Sequence, residues 1–163
     1  MSNQETLGLT EIKEKIQQLS DQYIHCIDDD RLEEWPEFFT EDCTYKIISR
    51  ENYARNLPSA LIYCKSKGML KDRVSAHRNA NIFEAHFYRH IVSNSLIMGE
   101  SNGVYQVQSN YVVFQTKLDG NTEVYNTGKY VDQVVFEQGE PKLKERLVVY
   151  DTLNIPSLLV TPI

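Results

Sequence analysis

Four long stretches of strand-forming residues in the second half of the chain constrain its fold more than any other feature. They cover residues 90–98, 104–118, 123–137 and 143–151, and all are rich in Val, Ile and Tyr. Gly-containing turns separate them at residues 99–103, 119–120 and 138–141. Because short turns join consecutive strands that lie antiparallel, these residues predict a meander of long, coiled strands.

The first half of the chain carries a helical pattern. Over residues 10–29, apolar side chains recur at steps of three and four, which places them on one face of an amphipathic helix. Another helix is predicted over residues 66–80, with Met69, Leu70, Val74 and His77 turned inward. Between them, alternation from Cys43 predicts a strand. Helices followed by a meander indicate an α+β fold, with N-terminal helices packed on a strongly curved antiparallel or mixed sheet.

The stretch "DDDRLEEWPEFFTED" at residues 28–42 holds eight carboxylates around a hydrophobic set. A hard-cation loop needs oxygen ligands at alternate positions and a glycine for its turn, whereas Asp28, Asp29 and Asp30 are contiguous and lack one. We therefore predict a solvated acidic surface. A short helix is expected to lay the apolar side chains against the sheet, namely Leu32, Trp35, Phe38 and Phe39.

Length and composition narrow the class of protein. At 163 residues the chain has the size of one domain, and we expect residues 1–163 to form a single domain. A net charge of −6 argues against nucleic-acid binding. The three cysteines are far apart, the first twenty residues carry charges, and no apolar run approaches the ~20 residues that cross a bilayer. These features favour a cytoplasmic protein without disulfides.

Few residues in the sequence suggest chemistry. His86 and His90 are four apart, but in a strand that spacing spans ~13 Å, so a structural role is favoured over a metal site. No phosphate loop, dinucleotide fingerprint or nucleophile elbow occurs. One enzymatic alternative remains, in which His90, Asp28 and Tyr45 meet in a pocket enclosed by helices and sheet and perform general acid–base work. A hydrogen-bonded core histidine is the simpler interpretation.

Six blocks of the sequence occur in the order found in one family. They are "WPEFFTEDCTYKI" (35–47), "REN" with "LP" (50–58), "KGMLKDRV" (67–74), "RHIVSN" (89–94), "SNYVVFQTKLDG" (109–120) and "LKERLVVYDT" (143–152). Together they resemble the small (beta) subunit of bacterial aromatic-ring-hydroxylating dioxygenases, the Rieske non-heme iron oxygenases. The likeness is to enzymes of aromatic acids such as anthranilate, salicylate or terephthalate, and it covers nearly the whole chain.

The resemblance implies a nuclear-transport-factor-like cone and a mainly structural role without catalytic residues or cofactors in this chain. It implies a heterohexamer of three large (alpha) and three small subunits, in which the large subunit holds a Rieske [2Fe–2S] cluster and a mononuclear iron. A reductase, directly or through a ferredoxin, would deliver electrons from NADH. The complex would then hydroxylate an aromatic acid with dioxygen.

Several residues are candidates for contacts between subunits. The uncharged stretch "NIPSLLVTPI" at residues 154–163 must cover either its own core or a neighbouring subunit, and the second interpretation is favoured. The interface candidates are Arg73, Arg89, Arg146, Asp151, Leu158, Leu159 and Ile163. The arginines are equally candidates for buried ion pairs with Asp132 or Asp151. Two alternatives to the subunit role stay open: a stand-alone dehydratase, isomerase or hydrolase that uses His90, and a homo-oligomeric module that binds a small molecule.

Overall fold

The computed structural model describes residues 7–80, 85–151 and 161–163. Within them, helices pack on one side of a seven-stranded mixed sheet. The helices are α1 (Leu9–Asp28), α2 (Arg50–Ala54) and α3 (Lys67–Asn79), with a 3-10 helix at Trp35–Phe38. The strands are β1 (Phe39–Ser49), β2 (Ile62–Cys64), β3 (His86–Val92), β4 (Leu96–Ser101), β5 (Val104–Lys117), β6 (Thr122–Glu137) and β7 (Glu140–Tyr150).

The sheet follows the order β2-β1-β7-β6-β5-β3, and β4 also pairs with β5. The predicted meander is present, because β5, β6 and β7 are consecutive antiparallel neighbours. The sheet is mixed because β1 pairs with β7 in parallel. A parallel pair requires a connection that crosses over, and here the rest of the sheet and the helices lie between the two strands in sequence.

The stretch at residues 90–98 forms parts of two strands and not one. β3 ends at Val92 and β4 begins at Leu96, and both pair with the single long strand β5. The side chain of Ser93 explains the break, because its hydroxyl accepts a hydrogen bond from the Asn110 backbone N–H of β5 at 2.9 Å. A serine hydroxyl that bonds the neighbouring strand competes with the regular ladder at that position.

Both predicted helices are present with nearly the predicted bounds, but the predicted direction of one side chain is wrong. α1 buries the predicted stripe, and α3 begins after Ser66, whose hydroxyl accepts a hydrogen bond from the Met69 N–H at 3.3 Å. Leu70, Val74 and His77 are buried, but Met69 is 42% exposed. The prediction for Met69 was wrong because the position directly before Leu70 lies about 100° round the helix from it.

Aromatic side chains from the short helix and β1 form the centre of the core. Trp35 and Phe39 are fully buried and meet edge to face, with ring centroids 5.6 Å apart. Tyr45 of β1 packs on both, with its ring centroid 5.1 Å from that of Trp35 and 6.0 Å from that of Phe39. Edge-to-face contacts of this kind add to the apolar area that burial removes from water. The stretch at residues 28–42 therefore anchors the first half of the chain to the sheet, as predicted.

Short elements escaped the sequence patterns. α2 and β2 are five and three residues long, and both lie in a segment that mixes charged and apolar residues. β1 begins at Phe39, four residues before the alternation starts at Cys43, and a register shift between Phe39 and Thr44 breaks its period. No helix among the described residues is long and apolar enough to cross a membrane.

Candidate functional site

The structure brings Asp28 and His90 together, although 62 residues separate them. Asp28 ends α1, and His90 lies on β3 with its side chain turned inward. One carboxylate oxygen of Asp28 lies 2.6 Å from the Nδ1 atom of His90, and the other accepts the backbone N–H of His90 at 2.8 Å. We call these two residues the Asp28–His90 pair.

Both side chains of the pair are shielded from solvent, at 3% exposed for Asp28 and 0% for His90. The prediction of a solvated surface is therefore wrong for Asp28, although Asp29 and Asp30 are exposed. Asp28 is pulled inward because its carboxylate satisfies an N–H on the open edge of β3, which would otherwise be buried without a partner.

The pair has the arrangement that orients an imidazole for proton transfer. Asp28 bonds Nδ1, so the other ring nitrogen, Nε2, is the one available for exchange with a third group. That Nε2 atom is buried and has no hydrogen-bond partner among the described residues. A reacting molecule would have to reach an atom that is closed to solvent in this structure.

Tyr45, the third member of the enzymatic alternative, has other partners. Its hydroxyl donates to the backbone oxygen of Ile163 at 2.9 Å, and the Ile163 N–H donates to the Tyr45 hydroxyl at 3.2 Å. Of the three residues in that alternative, the structure therefore brings two together. Burial raises the pKa of Tyr45 well above its usual value, so its hydroxyl stays a neutral donor.

A cleft of about 230 Å³ opens beside the Asp28–His90 pair. Asp28, His77, His86, Tyr88 and Thr161 are among its lining residues. Burial is the largest cause that lowers the pKa of His77, so this imidazole favours its neutral form. Asp28 is the member of the pair that lines this cleft, beside imidazole and hydroxyl groups.

An ion network closes the rim of this cleft. Arg78 of α3 donates to the Asp30 carboxylate at 2.8 Å and to the Glu33 carboxylate at 2.7 Å. The hydrogen bonds from Arg78 lower the pKa of Glu33 to about 2. The network joins the end of α1 to the end of α3, and it gives the acidic stretch a structural role at the surface.

Arg146 and Asp132 form a buried ion pair inside the sheet layer. They are direct partners on β7 and β6, and two guanidinium nitrogens donate to the carboxylate at 2.9 and 2.7 Å. The guanidinium carbon lies 4.1 Å from the ring centroid of Tyr23 and 4.2 Å from that of Tyr130. Arg146 was a candidate for an interface or for a buried ion pair, and its side chain lies in the core of its own chain.

The other interface candidates fall in different surroundings. Arg89 is exposed on β3, Arg73 is half-buried on α3, and exposed Asp151 pairs with Arg50 at 3.3 Å. Ile163 is fully buried in the interior of its own chain, so the expectation that it covers a neighbouring subunit is corrected. Leu158 and Leu159 lie outside the described residues.

No metal-binding cluster occurs in the part of the chain that the structure describes, where no three His, Cys, Asp or Glu side chains lie close enough to share an ion. Cys26, Cys43 and Cys64 are free and buried, and burial raises the pKa of each thiol, so they are poor thiolate ligands. The described residues thus do not fit an iron–sulfur cluster or a mononuclear iron.

Comparison with known proteins gives a consistent family. Residues 24–157 match the family model described as ring-hydroxylating beta subunit. The chain is 46% identical to the anthranilate 1,2-dioxygenase small subunit of Burkholderia cepacia, over 91% of this chain and 92% of that protein. It is 35% identical to a beta subunit of the terephthalate 1,2-dioxygenase terminal oxygenase component of Comamonas sp., over 86% of this chain and 92% of that protein.

Solved structures agree on the fold. The beta subunit of an inferred aromatic-ring-hydroxylating dioxygenase from Novosphingobium aromaticivorans superposes with a TM-score of 0.86 and 47% identity, covering 93% of this chain and 97% of that one. An inferred scytalone dehydratase from the same organism superposes with a TM-score of 0.70 at 19% identity, covering 94% and 92% of the two chains. The second likeness shows the fold alone, and it confirms the predicted nuclear-transport-factor-like cone.

Proposed function

The chain belongs to the ring-hydroxylating beta subunit family, and we propose that it is the mainly structural small subunit of the terminal oxygenase component of a multicomponent aromatic-ring-hydroxylating dioxygenase. The observation that carries this proposal is the likeness to the anthranilate dioxygenase small subunit over 91% of the chain. Its relatives belong to oxygenases named for anthranilate and terephthalate, which both carry a carboxylate on an aromatic ring. An aromatic acid is therefore the proposed substrate of the complex.

The chemistry of the complex is assigned to its large subunit. A Rieske [2Fe–2S] cluster and a mononuclear iron there would supply electron transfer and oxygen activation, and a reductase would provide electrons from NADH. We assign shape and contact surface to this chain, in line with its likeness to the small and beta subunits of such oxygenases. We propose three large and three small subunits per complex, located in the cytoplasm.

An exposed apolar surface on the outer side of the sheet supports a role in assembly. Phe87 and Ile91 of β3 are 63% and 60% exposed, and Arg89 stands between them on the same face. Across the strands, Phe114 lies opposite Arg89, and Val124 lies opposite Phe114. We call these five residues the outer patch. Apolar and aromatic groups around an arginine are typical of protein interfaces, so we propose that the outer patch contacts another subunit.

Co-purification of the tagged chain from its native host tests the subunit role. We expect a larger protein in equal copy number, together with iron and acid-labile sulfide in the complex, measured by native mass spectrometry and metal analysis. Recovery of a metal-free homo-oligomer without a larger protein would contradict the proposal.

The Asp28–His90 pair supports a second candidate function, a proton-transfer enzyme in its own right. The observation that favours it is the 2.6 Å contact between Asp28 and Nδ1 of His90, with Nε2 free of partners among the described residues. Against it stands the burial of both side chains.

Replacement of His90 separates the two functions. In the assembled complex, His90→Gln should leave the rate of aromatic hydroxylation within about two-fold of the unmodified complex when the pair is structural, because no step of that reaction uses it. Turnover of a carbonyl or hydroxyl compound by the isolated chain that disappears in His90→Gln, with the fold preserved by circular dichroism, would establish the enzyme instead.

A further inference from the structure

A groove of about 380 Å³ lies between α2 and the outer side of the sheet, and we call it the α2 groove. Arg50 and Tyr53 line it from the helix, and Lys129 of β6 and Asn110 of β5 line it from the sheet. Asn110 and Phe114 are four apart on β5, so the groove opens on the same face of the sheet as the outer patch. Its volume lies in the range of sites that hold small molecules.

The α2 groove has an excess of positive charge, although the whole chain has a net charge of −6. Its charged lining residues are Arg50, Lys129 and Asp151, which are two cations and one carboxylate. A cleft with charges of one sign in excess raises the local concentration of ions of the other sign. The groove therefore attracts an anion, in contrast to the acidic surface at residues 28–42.

Lys129 is a cation that has no carboxylate partner among the described residues. Its ammonium lies 5.4 Å from the ring centroid of Tyr53, and the residue is only partly exposed. The ring attracts the ammonium electrostatically, but it does not neutralise the positive charge. The N–H donors of Lys129 are thus available to a negatively charged oxygen.

Arg50 uses only part of its hydrogen-bonding capacity. Its Nη1 atom donates to one oxygen of Asp151 at 3.3 Å, and the Thr127 hydroxyl donates to the other oxygen of Asp151 at 3.2 Å. A guanidinium presents its N–H groups in a planar fork that matches the two oxygens of a carboxylate. The remaining N–H groups of Arg50 can therefore bind a second carboxylate in the groove.

Apolar surface lies beside these donors. The ring of Tyr53 is half-buried, and Ala54 and Val149 continue the apolar lining. Aromatic rings pack favourably on one another in offset or edge-to-face arrangements. A compound that joins a carboxylate to an aromatic ring would therefore contact both the cations and the apolar part of the groove.

We propose that the α2 groove binds a small aromatic carboxylate, with the carboxylate between Arg50 and Lys129 and the ring against Tyr53. The compound proposed as substrate of the complex belongs to the same chemical class. The inference does not rest on the subunit role, because every group that forms the groove belongs to this chain. The groove shares no described lining residue with the cleft beside the Asp28–His90 pair, so it is a separate site.

Titration of the isotope-labelled 163-residue chain with sodium benzoate, followed by NMR, tests the site. We expect saturable shifts of the backbone amide signals of Tyr53, Gly128 and Lys129, with a dissociation constant of roughly 0.3–3 mM for so small a ligand. Benzamide, which lacks the charge, and acetate, which lacks the ring, should each bind at least ~5-fold more weakly. Addition of about 300 mM NaCl should weaken benzoate binding, because salt screens exposed charges.

Variants that remove one charge identify the binding groups. Lys129→Met keeps the aliphatic stem and removes the ammonium, and it should weaken benzoate binding ~5-fold. Arg50→Met should have a similar effect, and its exposed position on α2 makes it the second variant in case Lys129→Met disturbs the sheet. Lys144→Met is the matched control, since this exposed lysine of β7 does not line the groove, and it should leave the affinity unchanged.

Four results would overturn the proposal. They are the absence of saturable shifts in the folded chain, shifts confined to the cleft residues Tyr88 and Thr161, equal affinity for benzoate and acetate, and an affinity that both Lys129→Met and Arg50→Met leave unchanged. None of these results depends on a larger partner. A failure of this proposal is therefore distinguishable from a failure of the subunit role, which co-purification tests.

Discussion

The buried ion pair of Arg146 and Asp132 shows how single residues determine which substitutions this core tolerates. Burial raises the pKa of Asp132, and Arg146 offsets only part of that effect. The pair survives because each charge has the other as a hydrogen-bond partner and because two tyrosine rings lie against the guanidinium. Removal of one partner would leave the other as an unpaired charge in the core.

Replacement of one or both partners should give non-additive losses of stability. Arg146→Met should lower the free energy of unfolding by ~3–5 kcal/mol, whereas Arg146→Met combined with Asp132→Leu should cost less than the single change. Urea unfolding of the two variants measures this. Arg50→Met is the control, since its pair with Asp151 is exposed and is worth less than about 1 kcal/mol. A double variant that is no more stable than Arg146→Met alone would show that the two charges do not depend on each other.

The pair of Glu33 with Arg78 makes one part of the stability depend on acid. Hydrogen bonds from Arg78 lower the pKa of Glu33 from 4.5 to about 2. A carboxyl with a depressed pKa contributes stability above its unfolded-state pKa, and that stability is lost as the pH falls from about 4.5 toward about 2. Because Glu33 is exposed, the contribution is below ~1 kcal/mol.

Glu33→Gln should therefore be less stable than the unmodified chain at pH 7, and the difference should shrink toward pH 3. Urea unfolding at both pH values measures the two differences. Glu14→Gln, an exposed position on α1, is the control and should show no such trend. A difference that stays constant with pH would exclude ionisation of Glu33 as its cause.

At the scale of elements, the close packing of β6 between β5 and β7 depends on one glycine. Gly128 pairs with Tyr111 of β5 on one side and with Tyr150 of β7 on the other. A Cβ atom at position 128 would overlap the carbonyl oxygen of Val149 and lie 2.9 Å from the Tyr111 hydroxyl. Backbone atoms of a central strand cannot move away cheaply, so the three strands require the absence of a side chain there.

Gly128→Ala should reduce the free energy of unfolding by roughly 3 kcal/mol, the upper end of the cost of overpacking. Gly99→Ala on β4 is the matched control, because an added Cβ there has no heavy atom within 4 Å. Thermal and urea unfolding of both variants measure the effect. Equal stability of the two would show that β6 and β7 move apart without cost.

Besides packing on the sheet, α1 covers part of an open sheet edge. Asp28 binds the backbone N–H of His90 at 2.8 Å, and the side-chain oxygen of Gln17 accepts the backbone N–H of Ser95 at 2.8 Å. An uncovered edge of β3 and β4 would offer free N–H groups to another strand. The helix therefore limits association through the edge and leaves the outer face of the sheet as the exposed apolar surface.

At the scale of the whole molecule, the outer patch is a surface that a monomer would not keep exposed without cost. Phe87 and Ile91 are more than half exposed, and they lie on a regular strand and not on a loop tip. Family membership and this surface agree on a chain that functions within an assembly.

Charge placed in the outer patch should prevent assembly without unfolding the chain. Ile91→Asp should sharply reduce co-purification with the larger subunit, while the free energy of unfolding of the isolated chain changes by less than ~1 kcal/mol, as expected for an exposed position. Leu118→Asp is the control, at a position directly after β5 that is 71% exposed. Normal assembly of Ile91→Asp would place the subunit contact elsewhere.

The sequence by itself determined the class of fold and the family. The alternation of side chains along the strands and the apolar stripe of α1 each extend over many residues. Such a pattern shows which face is buried without knowledge of what packs against that face. The anchor formed by Leu32, Trp35 and Phe39 followed from the same reasoning, because large apolar groups among carboxylates have one favourable direction. The six blocks indicated the family through resemblance, because six blocks in one order are more specific than any one of them.

Only the tertiary structure decided the contacts between distant residues. The parallel pairing of β1 with β7, the burial of Asp28 against His90 and the seat of Ile163 between two tyrosines each join positions separated by 62 residues or more. The spacing of residues within one segment does not specify such a contact, because the contact forms only when the whole sheet curves around the helices. An aspartate that is solvated in the local pattern becomes buried when a strand edge from elsewhere in the chain offers it a donor.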